Sequence, residues 1–440
     1  MYSATAFLIF CAACTVLAFV RHPIYGFYFY LASTYVFPPA RWWSYMLGDE
    51  TRWSLMAAGV TVLAVLLHRG KLQPKPVWLA SVPAIVFATY AAWMWIQFPW
   101  ALDPNVHFRG SLQYAKYLVA FWFVYRIVDT KERVRDVLLA HMLGCTLLGI
   151  FAYVMGRQGD RLDGVGGPGM DEANTLGMYF ATGAIVGLGL LLTQAGWRRW
   201  LSLGCIAIIM NGLVLTNTRG AFLGLVAGGL VMALFKAKTH RRRFWVLAVV
   251  GLLGVASIVD QKFIDRMSTI ENVTSETEAD TSAEGRFVLL EAQVQMFVDY
   301  PMGTGHRGTE LLSRHYLDKK WLSWSGHGAR ASHNTFMTTL VEQGIPGAVL
   351  FVWLTLWTLL AMLRLRRLEV HLGANLTTLA VAIVSALAAI FVAGNTADFL
   401  LAEVQFWLFA TLVSILRFAA MGSTGERPVA SGAMPRQSLT

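Results

Sequence analysis

Apolar windows close to the ~20 residues needed to cross a bilayer recur along nearly the whole chain, and this repetition constrains the fold more than any motif. Only 14% of the 440 residues are charged, 56% are hydrophobic and mean hydropathy is +0.52, which excludes an ordinary soluble domain. Candidate spans read at residues 4–20, 24–37, 53–67, 78–98, 112–128, 137–155, 175–192, 201–216, 221–235, 244–259, 336–363, 376–392 and 399–416. The expectation is an all-α polytopic integral membrane protein of about 12–13 transmembrane helices, the short second window before Pro38-Pro39 being the least secure. The first window lacks a preceding basic region and a small-residue cleavage pattern, so it reads as a retained helix. Cys11, Cys14, Cys145 and Cys205 all fall inside apolar windows and read as packing residues without disulfides.

The net charge of +10 is distributed in short gaps, as "HRGKLQPK", "DTKERVR", "WRR", "KAKTHRRR" and "RLRR". Every second gap belongs to this set, a pattern that sets topology rather than binding nucleic acid, and it assigns those gaps to the cytoplasm. The other gaps then face outward. They hold "GRQGDRLDGVGGPGMDEA", the corner "LTNTRG", the long segment 260–334 and "GNTADF". The division expected is 1–259 for the N-terminal and central helices, 260–334 for an outer loop, 335–418 for the C-terminal helices and 419–440 for a disordered cytoplasmic tail. Within the loop, "GRFVLLEAQVQMFVDYP" has apolar residues at helical spacing and ends at Pro301, as an amphipathic helix on the membrane surface would.

Chemistry is expected on the outer face. Arg219 opens a span immediately after a polar hairpin, where it reads either as an arginine snorkelling to headgroups or as an anion ligand beside a helix N-terminus. Arg286 opens the amphipathic helix and reads as a ligand or as a surface residue paired with Glu284 or Glu291. Arg157 and Arg161 lie in the glycine-rich loop, where Asp160 and Asp163 are near in sequence. His333 precedes a long span that Ser332 or Asn334 is placed to cap, and its ordinary pKa of about 6.5 leaves it largely neutral and able to take a proton. Glu342 is nine positions further, on the opposite helix face, and reads as a packing residue. "GTGHRG" at 303–308 fits a dinucleotide fingerprint but follows a helix and a proline instead of a strand. His306, His315 and His327 lack metal-ligand spacing, and Asn272 and Asn375 are glycosylation sequons by pattern only.

Arginine forks bind phosphate bidentately and keep their charge, so this outer set suits an anionic head on a lipid tail, such as a polyprenyl diphosphate sugar, with no metal and no cofactor. The segments "NTRGAFLGLVAG", "SAEGRFVLLEAQVQMFVDYPMGTGHRG" and "SHNTFMTTLVEQGIPGAVLF" together resemble the bacterial O-antigen ligase and O-antigen polymerase superfamily. "RHPIYGFYFYLASTYVFPP" looks like the N-terminal region of some O-glycosylation ligases of that superfamily. The resemblance implies a polytopic glycosyltransferase fold of the GT-C-like type in the bacterial inner membrane with its active site in the periplasm. It implies that Arg219 and Arg286 hold the diphosphate of an undecaprenyl-linked glycan and that His333 is the general base, with Arg161 and Arg157 as further contacts. The partners implied are that glycan donor, a lipid A-core acceptor and membrane lipids, and no nucleic acid. An O-antigen polymerase and a protein O-oligosaccharyltransferase are alternatives. A lipid-sugar flippase, from another class, would show internal repeats and charges at mid-membrane.

Overall fold

A computed structural model describes residues 2–48, 51–73, 75–157, 159, 161–259, 261, 263–264, 278–322 and 328–425. Its regular elements are helices, in the order α1 (Tyr2–Val20), α2 (Ile24–Val36), α3 (Trp53–Leu67), α4 (Val82–Ile96), α5 (Pro104–Ile127), α6 (Lys131–Met155), α7 (Ala173–Thr193), α8 (Trp197–Thr216), α9 (Arg219–Phe235) and α10 (Arg241–Ile258). After these come α11 (Glu278–Asp299), α12 (Gly308–Tyr316), α13 (Lys319–Leu322), α14 (Thr335–Leu372), α15 (Ala374–Ala393) and α16 (Glu403–Gly425). Each apolar window becomes helical, but among the described residues only 7 helices are long and apolar enough to cross a membrane, or 8 if the bent α9–α10 pair is one span. This is fewer than the windows suggested, for local reasons. α2 has only 13 residues and stops before Pro38, where Phe37 turns left-handed at φ 41°. The window 78–98 shrinks to the 15-residue α4 because Ser81 is extended and Pro83 lies in the helix's first turn. α9 and α10 meet at 115°, so two apolar windows form one broken unit.

α7, α15 and α16 form the centre of the bundle, with nearly every side chain buried along α7 and α15. α9 lies on α15 through Gly224 and Gly228, one turn apart, and Gly220 a turn earlier faces Thr396 in the loop after α15. A Cβ placed on Gly224 would fall 2.7 Å from the carbonyl oxygen of Ala389, and one on Gly228 2.6 Å from that of Ser385. Small residues at this spacing let two helices approach to backbone contact, which is how membrane helices gain packing without a hydrophobic drive between them. The close approach fixes the first turn of α9, and with it Arg219. The free cysteines Cys11, Cys14, Cys145 and Cys205 are all buried within the bundle.

α14 is broken at Gly344, where φ is 65°, a conformation open to glycine, and Pro346 follows within the helix. The "GTGHRG" stretch occupies this break. Thr304 donates its amide to Val341 O at 3.1 Å, Gly305 to Glu342 O at 3.0 Å, and Ile345 donates to Pro301 O at 2.9 Å. The glycines that mimic a nucleotide fingerprint therefore serve a backbone-to-backbone contact. Glu342 stays in the core, with Oε2 3.4 Å from Nδ1 of His306. Burial opposes the charged imidazole of His306, but its contact with Glu342 prevails and holds it above the ordinary histidine range.

The described part of the segment between α10 and α14 folds back as a cap. α11 buries Leu289, Ala292 and Met296 in a small second core with Leu312, Leu317, Trp321 and Val341. Its other face leaves Phe287, Leu290, Val294 and Val298 exposed, the apolar stripe of an amphipathic helix. Asn272, His327, Asp160 and most of the tail 419–440 lie outside the described residues.

The glycine seam yields a direct expectation. Gly224→Leu should overpack the α9–α15 contact and cost about 1–3 kcal/mol. Thermal unfolding of the purified protein in detergent should show a lowered midpoint, and an unchanged midpoint would remove the seam from the account.

Candidate active site

The basic gaps and the candidate site sit at opposite ends of the same helices. Lys131 and Arg135 begin α6 while Arg161 follows its end, and Arg198 and Arg199 begin α8 while Arg219 follows its end. At the basic end, Arg199, Arg242 and Arg243 line one cavity of about 310 Å³, and Lys131, Arg135, Arg198 and Asn375 line part of another of about 680 Å³. A further cleft of about 770 Å³, mostly apolar, lies among α1, α2 and α6, and none of the candidate residues lines it.

At the other end, chain order gives way to proximity. Asn217 takes the left-handed conformation at φ 51° and ends α8, so the chain reverses within two residues and Arg219 begins α9. Arg157, read as a further contact for the diphosphate or glycan, braces this corner. Its Nε donates to Leu215 O at 3.0 Å and its Nη2 to Val214 O at 2.8 Å, satisfying carbonyls that the end of α8 leaves open. Asp163 does not neutralise Arg161, because its carboxylate accepts the amide of Ala173 at 2.7 Å at the start of α7. Neither Glu284 nor Glu291 forms an ion pair with Arg286 among the described residues.

His333 is held from both sides. Toward the cap, the buried side chain of Gln293 on α11 donates to Ser332 Oγ at 2.9 Å. Gln293 and Arg286 are seven residues apart, two turns on one face, so the bond that docks α11 also delivers Arg286. Toward the bundle, Asn334 caps α14, its Oδ1 accepting from Met337 N at 3.1 Å. Thr335 donates its amide to Gly394 O at 2.7 Å and its hydroxyl to Ala397 O at 3.0 Å, and that hydroxyl accepts from Phe399 N at 2.9 Å. The same 394–399 loop places Thr396 against Gly220, beside Arg219. One loop thus ties the histidine's helix to the arginine's helix.

These side chains act on one another electrostatically. Burial, and after it Arg286, Arg330 and Arg161, push His333 down to about 4. Arg286 is held below its ordinary value by burial and then by Arg219, Arg161 and Arg330. The predicted Arg161, Arg219, Arg286 and His333 are therefore brought together, and Arg330 joins them unannounced. Gln293 and Thr335 were missed as well, and Ser332, read as one of two possible caps, takes the bond from Gln293 while Asn334 caps the helix. The signals for them are slight: a glutamine among the buried positions of an amphipathic helix, and hydroxyls flanking the cap. Among the described residues no group of three His, Cys, Asp or Glu side chains is arranged to hold a metal. Chemically, the cluster is a cationic rim around a neutral imidazole, able to hold a multiply charged oxyanion beside a proton acceptor.

The O-antigen ligase family model matches residues 203–352, which include Arg219, Arg286, Arg330 and His333. The exopolysaccharide production protein ExoQ of Rhizobium meliloti (strain 1021) is 23% identical over 292 residues, covering 60% of this chain and 64% of the relative. The match thus spans just under two thirds of that relative's length.

Two outcomes follow for the unliganded protein. Histidine NMR in nanodiscs should find His333 neutral at pH 6, since its depressed pKa keeps the proton off until the pH nears 4; a midpoint near 6.5 would contradict the electrostatic account. Gln293→Leu should slow turnover roughly 10- to 100-fold by releasing both the Ser332 turn and the α11 face that carries Arg286, because misplacing groups of a site costs rate; an unchanged rate in the folded variant would remove this bond from the account.

Proposed function

We propose that this chain, whose residues 203–352 match the O-antigen ligase family model, transfers a polysaccharide from undecaprenyl diphosphate to a hydroxyl of a lipid A-core sugar. The observation that carries the proposal is the buried His333, held neutral beside Arg286, Arg330 and Arg161, with Arg219 acting on Arg286 in the same cluster. Such a rim suits a multiply charged oxyanion, and a diphosphate is one. The basic gaps at the opposite end of the helices support a periplasmic site in a multi-pass protein of the inner membrane.

In this reaction the acceptor oxygen attacks the anomeric carbon while His333 takes the hydroxyl proton. The bond from that carbon to the diphosphate oxygen breaks, and its electron pair leaves with the diphosphate. Direct attack inverts the anomeric centre and needs no covalent intermediate. A sugar hydroxyl is too weak an acid to be deprotonated beforehand, so the proton moves as the new bond forms, for a gain of typically about 100- to 10,000-fold. Arg219 and Arg286, with Arg161, meet the charge that develops on the leaving group, the task for which preorganised donors contribute most. Bound diphosphate also offsets the positive field on His333 and raises its basicity. The base is then strongest when donor is present.

ExoQ's description as an exopolysaccharide production protein favours one second reading, in which the acceptor is another lipid-linked glycan. Mechanism and site are the same in both readings; only the acceptor differs.

Purified protein with undecaprenyl-diphosphate glycan should form product with lipid A-core. Product only with a second lipid-linked glycan would move the assignment to a polymerase, and no product with either would end the proposal. Arg219→Ala and Arg286→Ala should each lower kcat about 100- to 1,000-fold, as loss of a transition-state donor does. The rate should fall as pH drops through the donor-bound pKa of His333, and that limb should vanish in His333→Ala.

A further inference from the structure

We propose that Arg330 is a further ligand of the diphosphate, seated by Gly285, which completes the anion site from the side of the cap. The inference rests on the anion-binding reading above and extends it to a residue that neither the helix boundaries nor the flanking motif single out.

Arg330 is only 8% exposed, and its Nη1 is buried without a hydrogen-bond partner among the described residues. A buried guanidinium nitrogen left unpaired is costly, so its retention calls for a partner that arrives from outside the chain. Its backbone is pinned, the amide donating to Ser313 Oγ at 2.8 Å on α12. Its head lies over Gly285: a Cβ there would fall 2.8 Å from both Nη1 and Nη2. Gly285 sits inside α11, where glycine costs about 1 kcal/mol relative to alanine. The missing side chain leaves room for the guanidinium one residue before Arg286. The position is electrostatically continuous with the rest of the site, since Arg330 acts on both Arg286 and His333. Like-charged groups packed this closely repel one another, and an oxyanion shared among them turns that repulsion into attraction. A fork of N–H donors then reaches a second phosphate oxygen, or the bridging side of the diphosphate, that Arg219 and Arg286 leave open.

The test is pyrophosphate binding by the full-length protein in nanodiscs, followed by calorimetry at low ionic strength, with no acceptor and no turnover. Arg330→Gln should weaken binding by about 10- to 100-fold, the loss expected for a hydrogen bond to a charged group, and Arg330→Lys should restore only part of it. Gly285→Ala keeps the arginine but displaces its head, and should weaken binding while improving the helix propensity of α11; it also serves if Arg330→Gln fails to fold. Wild-type affinity in folded Arg330→Gln, or in Gly285→Ala, would overturn the role of Arg330 while leaving the anion site intact. Failure of the anion-site reading looks different: Arg219→Gln and Arg286→Gln would then bind pyrophosphate as the wild type does.

Discussion

Positive charges gathered at one end of the helical bundle are the constraint around which this structure is arranged. Arg161, Arg219, Arg286 and Arg330 come from separate segments: Arg219, Arg161 and Arg330 act on Arg286, and Arg286, Arg330 and Arg161 act on His333. Unit charges about 4 Å apart repel by roughly 1 kcal/mol in water and by roughly 4 kcal/mol near a protein surface. The chain therefore holds them together with rigid devices: the glycine seam of α9 on α15, the α11 bond from Gln293 to Ser332, and the threonine clasp between α14 and the 394–399 loop. Stability given up at the rim is supplied elsewhere, as is common where a site is preorganised for a ligand.

The imidazole gains meaning from this setting. A histidine with a carboxylate partner would be drawn toward its charged form, as His306 is by Glu342. His333 has arginines for neighbours and is driven the other way. Two histidines of one chain thus show opposite behaviour for reasons visible in their surroundings. The pairing of Glu342 with His306 also explains why Glu342 does not orient His333, a separation that its place on the helix had suggested.

Much of this was legible from residue order. Apolar windows gave the helices, because burial in lipid selects composition over a whole turn-by-turn surface. They did not give lengths, which depend on single residues such as Phe37, Pro83 and Gly344. Arg219, Arg286 and His333 stood out because charged or titratable groups are conspicuous at the edge of apolar runs. Arg157 stood out equally, yet its guanidinium braces the carbonyl end of α8, and nothing in its flanking residues distinguishes that use from ligand binding. Arg330 and Gln293 were hidden for the converse reason. Their importance lies in partners 17 to 45 positions away, Ser313 and Gly285 for one and Ser332 for the other, and only the folded chain brings those together.

The central claim is that the arginine rim around His333 is the seat of a lipid-linked diphosphate. A cryo-EM structure of the protein in nanodiscs with undecaprenyl diphosphate tests it most directly. The account predicts the diphosphate within hydrogen-bonding reach of Arg219 and Arg286, with His333 alongside. A diphosphate bound instead at the opposite end, among Arg199, Arg242 and Arg243, would contradict it.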